Sequence, residues 1–318
     1  MRVLVSVVIA TYNRASLLSK ALDSLLAMET DENFVFEILV VDNNSKDETK
    51  TVVESFFSRV QTTPLRLRYV FEPDQGKPMA LNRGIKEAQG EVIVFTDDDV
   101  VVERDWIKNM MRCFREFNCD SVGGRVLPVY PSDTPKWVKD NPHKAAGAVV
   151  IYHYGTAVKP CDDAMDFFIG ANYAFRRQVF DDCGLFKTDF KFNGVAIGED
   201  REFIRRIVKA GKKLYYCGNA VVWHPVNLDR LRLRHMVRWH MAFGRCSARI
   251  EQENKEISYV YFMGVPQYLI KGAVKDFFTM VFKGFNQMVF WDHFRGFFRK
   301  VGMIKEYRIV YESSRRSS

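Results

Sequence analysis

The chain has 318 residues, 47% of them hydrophobic, with 47 Lys and Arg against 39 Asp and Glu and a formal net charge of +8. That apolar content excludes wholesale disorder, and no stretch reaches the roughly 18 uninterrupted apolar residues of a membrane span. Six scattered cysteines without a CxxC spacing read as reduced, mostly buried thiols of a cytosolic protein, not as a zinc site or disulfide frame.

In chain order, Val5–Ala10 is expected to form a strand that exits into Thr11-Tyr12-Asn13-Arg14. The apolar run from Val3 is too short for a signal peptide and no cleavage site follows it. Ala15–Met28 carries Leu17, Leu18, Leu22, Leu25 and Leu26 at helical spacing. Phe36–Val41 is a second strand ending in Asp42-Asn43-Asn44-Ser45, with Asp47 or Ser45 placed to cap a helix through Phe57. Leu65–Phe71, Met79–Ala88 and Val92–Thr96 read as strand, helix and strand. Strands alternating with helices imply βαβ units and a mostly parallel sheet, an α/β fold. After Trp106–Phe117 the pattern becomes irregular, and residues 127–165, with several prolines, suggest a long excursion across the face that holds the strand exits. Order returns at Phe167–Asn172. Gly198-Glu199-Asp200 opens a helix to about Ala210, Val221–His224 is a last short strand, and from Leu228 the chain reads as helical and basic.

The most telling feature is Asp97-Asp98-Asp99 at the exit of the fourth strand, where an open α/β sheet presents its ligand crevice. Adjacent carboxylates repel, so one must be protonated or a cation must sit among them. Oxygen ligands suit Mg²⁺ or Mn²⁺, particularly where phosphates complete the coordination. The alternative is an acidic helix start capped by Asp99.

The chain resembles family-two glycosyltransferases of the GT-A fold over roughly residues 3 to 245. The resemblance rests on Val7–Arg14, Ile38–Asp47, Gly76-Lys77 with Ala80–Gly84, and Gly90–Asp99. It continues through Gly170-Ala171-Asn172, Arg176-Arg177, Gly198-Glu199-Asp200 and Val222-Trp223-His224. It implies a nucleotide-sugar-dependent and usually inverting transferase with a Rossmann-like, mostly parallel sheet flanked by helices. Residues 1–227 would be the catalytic domain, 1–100 its nucleotide-binding half and 101–227 its acceptor half.

Residue by residue, the resemblance places Thr11, Tyr12, Arg14 and Asp42 on the nucleotide, Asp42 accepting from the base. Asp42 is equally placed to cap a helix. Lys77 and Asn82 would line the same pocket, although Lys77 suits a solvated loop as well. Asp97 and Asp99 correspond to a DxD element, with Asp99 the direct ligand of Mn²⁺ or Mg²⁺, Asp98 facing ribose or sugar, and His224 a further ligand. A His closing a strand is otherwise a packed residue. Asp200 would be the base that takes the acceptor proton. Glu199 would orient acceptor or donor sugar, on a side that also holds Gly170 and Asn172. Acidic residues also favour a helix N-terminus for its dipole alone. Of Arg201, Arg205 and Arg206, at least one is expected to pair structurally. Cys183-Gly184-Leu185-Phe186-Lys187 departs from the family's Gly-Gly-Phe-Asp-like stretch, which puts the acceptor in question.

Residues 228–318 hold 17 Lys and Arg against 8 Asp and Glu, so the whole positive balance lies there. Arg230, Arg234, Arg238, Arg245 and Arg249 fall near one helical face. Ile270, Val274, Phe278, Phe282 and Phe285 recur at near-helical spacing beside Lys271, Lys275 and Lys283, and Phe290, Trp291, Phe294, Phe297 and Phe298 follow. Such a pattern fits a basic amphipathic extension on a membrane surface, or else a core or oligomer contact. No nucleic-acid module accompanies the charge. The expectation is therefore a cytoplasmic protein, peripheral on the inner face of the cell membrane, with a nucleotide-sugar donor and a glycan or lipid-linked acceptor. A homo-oligomer remains open. The competing readings are a sugar nucleotidyltransferase and a non-catalytic sugar- or lipid-binding scaffold.

Overall fold

A computed structural model describes residues 5–30, 35–61, 65–161, 168–192, 195–254 and 259–316. The elements begin with β1 (Val5–Thr11), α1 (Ala15–Leu26), β2 (Phe36–Asp42), α2 (Thr49–Ser55), α3 (Phe57–Val60) and β3 (Arg66–Phe71). Next come α4 (Lys77–Glu87), β4 (Val92–Asp97), β5 (Val101–Val102), α5 (Trp106–Phe117), β6 (Ser121–Val129), α6 (Lys136–Asp140) and β7 (Val158–Pro160). They continue with β8 (Asn172–Arg176), α7 (Arg177–Cys183), β9 (Lys191–Phe192), β10 (Val195–Ala196), α8 (Glu199–Lys209) and β11 (Leu214–Pro225). The C-terminal stretch holds α9 (Leu233–Asn254), β12 (Tyr261–Phe262), β13 (Val265–Pro266), α10 (Gln267–Lys283) and α11 (Gln287–Arg316).

The chain divides into two units, residues 1–131, 150–188 and 199–226 in the first, and 132–149, 189–198 and 227–318 in the second. The sequence reading assigned 1–227 to one domain; two segments inside that range group with the C-terminal helices instead. The reason for the first is visible in its contacts, since Trp137 stacks on Trp291 at 4.9 Å and Lys144 pairs with Asp292 at 2.5 Å. Much of the 127–165 excursion is thereby accounted for, while residues 162–167 lie outside the described ones. One nine-stranded sheet runs through 1–100 and 101–227 alike, in the order β3-β2-β1-β4-β8-β6-β11-β5 with β7 on β11.

Pairing in the first unit follows from the sequence. Strands β1, β2 and β4 are mostly apolar on both faces, the pattern of parallel strands covered by helices, while the edge strand β3 alternates. Val7, Ile9, Ile38 and Val40 join Leu18 and Leu22 of α1 and Met110 and Phe114 of α5 in one core. Val8, Leu39, Val41 and Phe95 join Leu81 and Ile85 of α4 and Phe203 and Ile207 of α8 in another. The parallel register sets Thr11 opposite Asp42 and Ala10 opposite Asp97, so three polar strand exits lie side by side. β5 then pairs antiparallel with β11, Val102 opposite Val222 and Val101 opposite Trp223, which brings the Asp98-Asp99 connection to the strand that carries His224. β11 is longer than the expected Val221–His224 because its register on β6 slips between Cys217 and Val221, a break that hides a strand from a periodicity argument.

In the second unit, Phe190 and Phe192 pack with Ala242, Cys246 and Ile250 of α9. Arg245 and Arg249 are not part of a free basic stripe: both bind the buried Glu306 of α11, at 2.7 and 2.8 Å. Among the described residues no helix is long and apolar enough to cross a membrane.

Candidate active site

The loops after β1 and β2 are knitted together before any ligand is considered. Asn13 donates its N–H to Ser45 Oγ at 2.9 Å, and Lys46 donates to Asn13 Oδ1 at 2.7 Å. Asp47 serves two helices, accepting from the amide of Ala15 at the start of α1 and from that of Thr49 in α2. Asp42 caps neither. It accepts from Ser45 N–H at 2.9 Å and from the Tyr69 hydroxyl at 2.7 Å, and burial together with that carboxylate keeps the Tyr69 phenol neutral. Asn43 ties this edge to the next loop, donating to Asp74 O at 2.6 Å and accepting from Gly76 N–H at 2.7 Å. Gly76 itself has φ +152°, where L side chains are rare, and it turns the chain into α4 so that Lys77 begins the helix. Tyr12, by contrast, is 45% exposed.

The three aspartates have distinct surroundings. Lys77 Nζ lies 2.5 Å from Asp97 Oδ1. Asp98 is buried and accepts from Thr11 Oγ1 at 2.8 Å and Arg14 Nη1 at 2.6 Å. Both its oxygens accept hydrogen bonds inside the protein, so Asp98 orders the loop around Thr11 and Arg14. Arg14 reaches Asp99 Oδ2 as well, at 3.0 Å. Burial alone would lower the Arg14 pKa, but the Asp98 and Asp99 charges outweigh it and the guanidinium is held protonated. For Asp97, burial raises the pKa and the Lys77 and His224 charges pull it below the ordinary value.

Asp99 Oδ1 is buried with no hydrogen-bond partner, 3.5 Å from His224 Nε2. His224 Nδ1 lies 3.0 Å from the Pro225 carbonyl, which only accepts, so Nδ1 carries a proton and Nε2 is the nitrogen turned toward Asp99. Asp99 Oδ1 and His224 Nε2 thus face each other across a gap that either a proton or a metal cation bridges. Ligand atoms of Asp97, Asp99 and His224 all lie within 4.8 Å of one another. The donor set fits a divalent ion.

Across from these, α8 starts with Glu199 and Asp200. Backbone N–H groups of Arg201 and Gly170 hydrogen-bond the Asp200 carboxylate. A Cβ added to Gly170 would lie 3.5 Å from both Asp200 Oδ2 and Lys77 Nζ, an ordinary contact distance that sets this glycine beside both groups. Glu199 Oε2 is buried without a partner. Burial first, then the Asp200 charge, pushes the Glu199 carboxyl up to about 7, while burial raises Asp200 too. Lys77 stays charged because Asp97, Glu199 and Asp200 outweigh its own desolvation. Tyr173, which sequence reasoning did not single out, is wholly buried with an unpartnered hydroxyl and is held neutral by burial and by the Asp200, Glu199 and Asp97 charges. Nothing in its strand pattern distinguished it from a core aromatic.

Two expected sugar-side or nucleotide-side residues have framework roles. Asn172 is fully buried; its amide donates to Arg125 O and Ala220 O, both at 2.9 Å, and its Oδ1 accepts from Trp106 Nε1 at 2.8 Å. It ties β8 to its neighbours and has nothing left for a sugar. Asn172→Ala should therefore lower stability by at least about 1–3 kcal/mol in urea unfolding, the cost of orphaned buried partners. Unchanged stability with impaired sugar affinity would restore the expected role. Asn82 clamps Phe186, Nδ2 to its carbonyl at 2.8 Å and Oδ1 from its amide at 3.0 Å. Arg206 grips the same segment through the Cys183 and Leu185 carbonyls while pairing with Glu202 at 2.8 Å, the structural pairing expected of one α8 arginine. The stretch that departs from the family pattern is thus rigidly held.

Comparison with known proteins points one way. The family profile described as Glycosyl transferase family 2 matches residues 6–184. Glycosyltransferase AglE of Haloferax volcanii is 25% identical over 225 residues, which span 70% of this chain and 66% of AglE. The succinoglycan biosynthesis protein ExoM of Rhizobium meliloti is 24% identical over 246 residues, 77% of this chain and 74% of that one. Among solved structures, the mannosyltransferase PcManGT from Pyrobaculum calidifontis, in complex with GDP-Man and Mn²⁺, superposes with a TM-score of 0.57 at 17% identity, covering 100% of this chain and 76% of that one. At that identity the likeness speaks for the fold, a GT-A-type α/β architecture.

Proposed function

Since this chain belongs to glycosyl transferase family 2, we propose that it transfers a hexosyl group from a nucleotide sugar, a UDP-sugar by preference, to a hydroxyl of a glycan or lipid-linked acceptor with inversion. The observation that carries this reading is the conjunction, in one unit, of the Asp97, Asp99 and His224 ligand cluster with the buried Glu199–Asp200 pair, Lys77 lying between Asp97 and the latter. Asp200 accepts the acceptor's proton as its oxygen attacks the anomeric carbon. The bond from that carbon to the diphosphate breaks, and the electron pair leaves with the nucleoside diphosphate. Glu199 orients a sugar hydroxyl, and Gly170 leaves the room in which it sits. Thr11, Tyr12, Arg14 and Asp42 hold the nucleotide end, Thr11 and Arg14 by fixing Asp98 and the others by contact with the base. Lys77 keeps a positive charge beside the departing phosphates.

Asp97, Asp99 and His224 would hold Mn²⁺ or Mg²⁺, and the imidazole favours Mn²⁺ of the two. When bound, the ion neutralises charge developing on the diphosphate. ExoM's role in succinoglycan biosynthesis supports an acceptor in polysaccharide assembly. In keeping with such acceptors the protein works as a peripheral protein on the cytoplasmic face of the cell membrane. The test is product analysis: incubation with UDP-hexoses and a panel of glycan acceptors, with NMR of the new anomeric centre. Transfer with inverted configuration supports the reading. A nucleotide sugar made from sugar phosphate and nucleoside triphosphate would replace it with the nucleotidyltransferase alternative.

A further inference from the structure

The aromatic residues after position 266 have two fates. On α11, Phe294 is buried against Phe298 at 4.7 Å and Phe290 at 5.7 Å, and Trp291 stacks on Trp137. Phe294 is buried, and Phe290, Trp291 and Phe298 are half-buried around it. α10 buries Leu269, Ala273 and Asp276, spaced i, i+4 and i+7 on one face. Its opposite face carries Phe278, Val281 and Phe282, and the turn beyond it Phe285, all exposed. Phe282 is 69% and Phe285 92% exposed, and the Phe278 and Phe282 rings stack on each other at 5.9 Å. A contiguous apolar patch of this kind marks a contact surface.

Its charges say what kind. Lys271, Lys275 and Lys283 are exposed on α10. The helix's one acid, Asp276, is buried between Lys300 Nζ at 2.5 Å and His293 Nδ1 at 2.8 Å. Every charge that α10 shows to solvent is therefore positive, within a region already rich in cations. A second copy docked on this face would bring the same lysines together. An anionic bilayer complements both the charge and the rings.

We propose that the outer face of α10 and the α10–α11 turn seat on an anionic lipid bilayer, with Phe278, Phe282 and Phe285 at the headgroup–acyl boundary and the lysines on lipid phosphates. This deepens the peripheral-membrane reading above and names its surface.

The test is co-sedimentation of the full chain with phosphatidylcholine vesicles, with and without phosphatidylglycerol, at low and high salt. Binding is expected on the anionic vesicles and should weaken with salt. The Phe282→Ser, Phe285→Ser double variant, altered only at exposed positions, should bind at least about tenfold more weakly. Lys271→Glu with Lys275→Glu should lose about tenfold or more on anionic vesicles. Mn²⁺-dependent nucleotide binding should be unchanged in both. Absence of binding to anionic vesicles, or equal binding by the double variant, overturns the proposal; so does a concentration-dependent dimer that the same Phe substitutions abolish. Vesicle failure with nucleotide binding intact strikes this surface alone, whereas the converse strikes the transferase reading alone.

Discussion

Asp200→Asn is expected to lower kcat by about 10²–10⁴-fold, the span ordinarily supplied by a positioned general base, with nucleotide affinity unchanged. Asparagine preserves shape and its amide oxygen still accepts one of the backbone N–H groups that hold Asp200, but it takes up no proton. Glu199→Gln should behave differently, because a carboxyl pushed up to about 7 spends much of its time protonated and Gln imitates that form. A milder loss, weighted toward KM, is expected there. The same residue predicts a stability trend. Its folded pKa lies above the ordinary 4.5, so its contribution is fully present below about pH 4.5 and is lost as pH rises through about 7. In EDTA, Tm should therefore fall across that window more steeply for the wild type than for Glu199→Gln. Normal turnover in Asp200→Asn would remove Asp200 as the base.

Asp99→Ala should abolish the site's selectivity for a divalent ion, weakening Mn²⁺ binding by about 10–100-fold or more when free Mn²⁺ is followed by electron paramagnetic resonance. The argument is local: Asp99 Oδ1 has no hydrogen-bond partner and faces His224 Nε2, so removing it deletes an acceptor that no protein donor satisfies. His224→Ala should weaken Mn²⁺ binding too, while shifting preference toward Mg²⁺ because only carboxylates remain. Neither substitution should unfold the protein, since Arg14 retains Asp98 at 2.6 Å after Asp99 is lost. Wild-type Mn²⁺ affinity in Asp99→Ala would return the Asp-Asp-Asp run to a loop-ordering role.

Much of this was legible in the sequence where chemistry and periodicity coincide. The parallel strands β1, β2 and β4 announce themselves by apolar runs ending in polar residues, and a fixed register then aligns Thr11, Asp42 and Asp97. What the sequence hid depends on long-range pairing. Asn172 looks like a site residue because it sits in a motif, yet its three hydrogen bonds go to Arg125, Ala220 and Trp106, all distant in the chain. That Asp98 also binds Thr11 and Arg14, some eighty-five residues earlier, is likewise invisible in its own neighbourhood. Tyr173 and Asn43 gave no signal because a buried Tyr and a loop Asn are common in any sheet. The C-terminal part of the basic stripe on α9 is structural as well, since Glu306 is the partner of Arg245 and Arg249.

The most direct test of the central claim is calorimetric titration of UDP and GDP into the protein, each with Mn²⁺ and with EDTA. The account predicts saturable binding of one nucleotide that depends on Mn²⁺ and is lost in Asp99→Ala. A folded protein that binds neither nucleotide under either condition would contradict it, and with it the assignment of Asp42, Asp97, Asp99 and His224 to a nucleotide-sugar site.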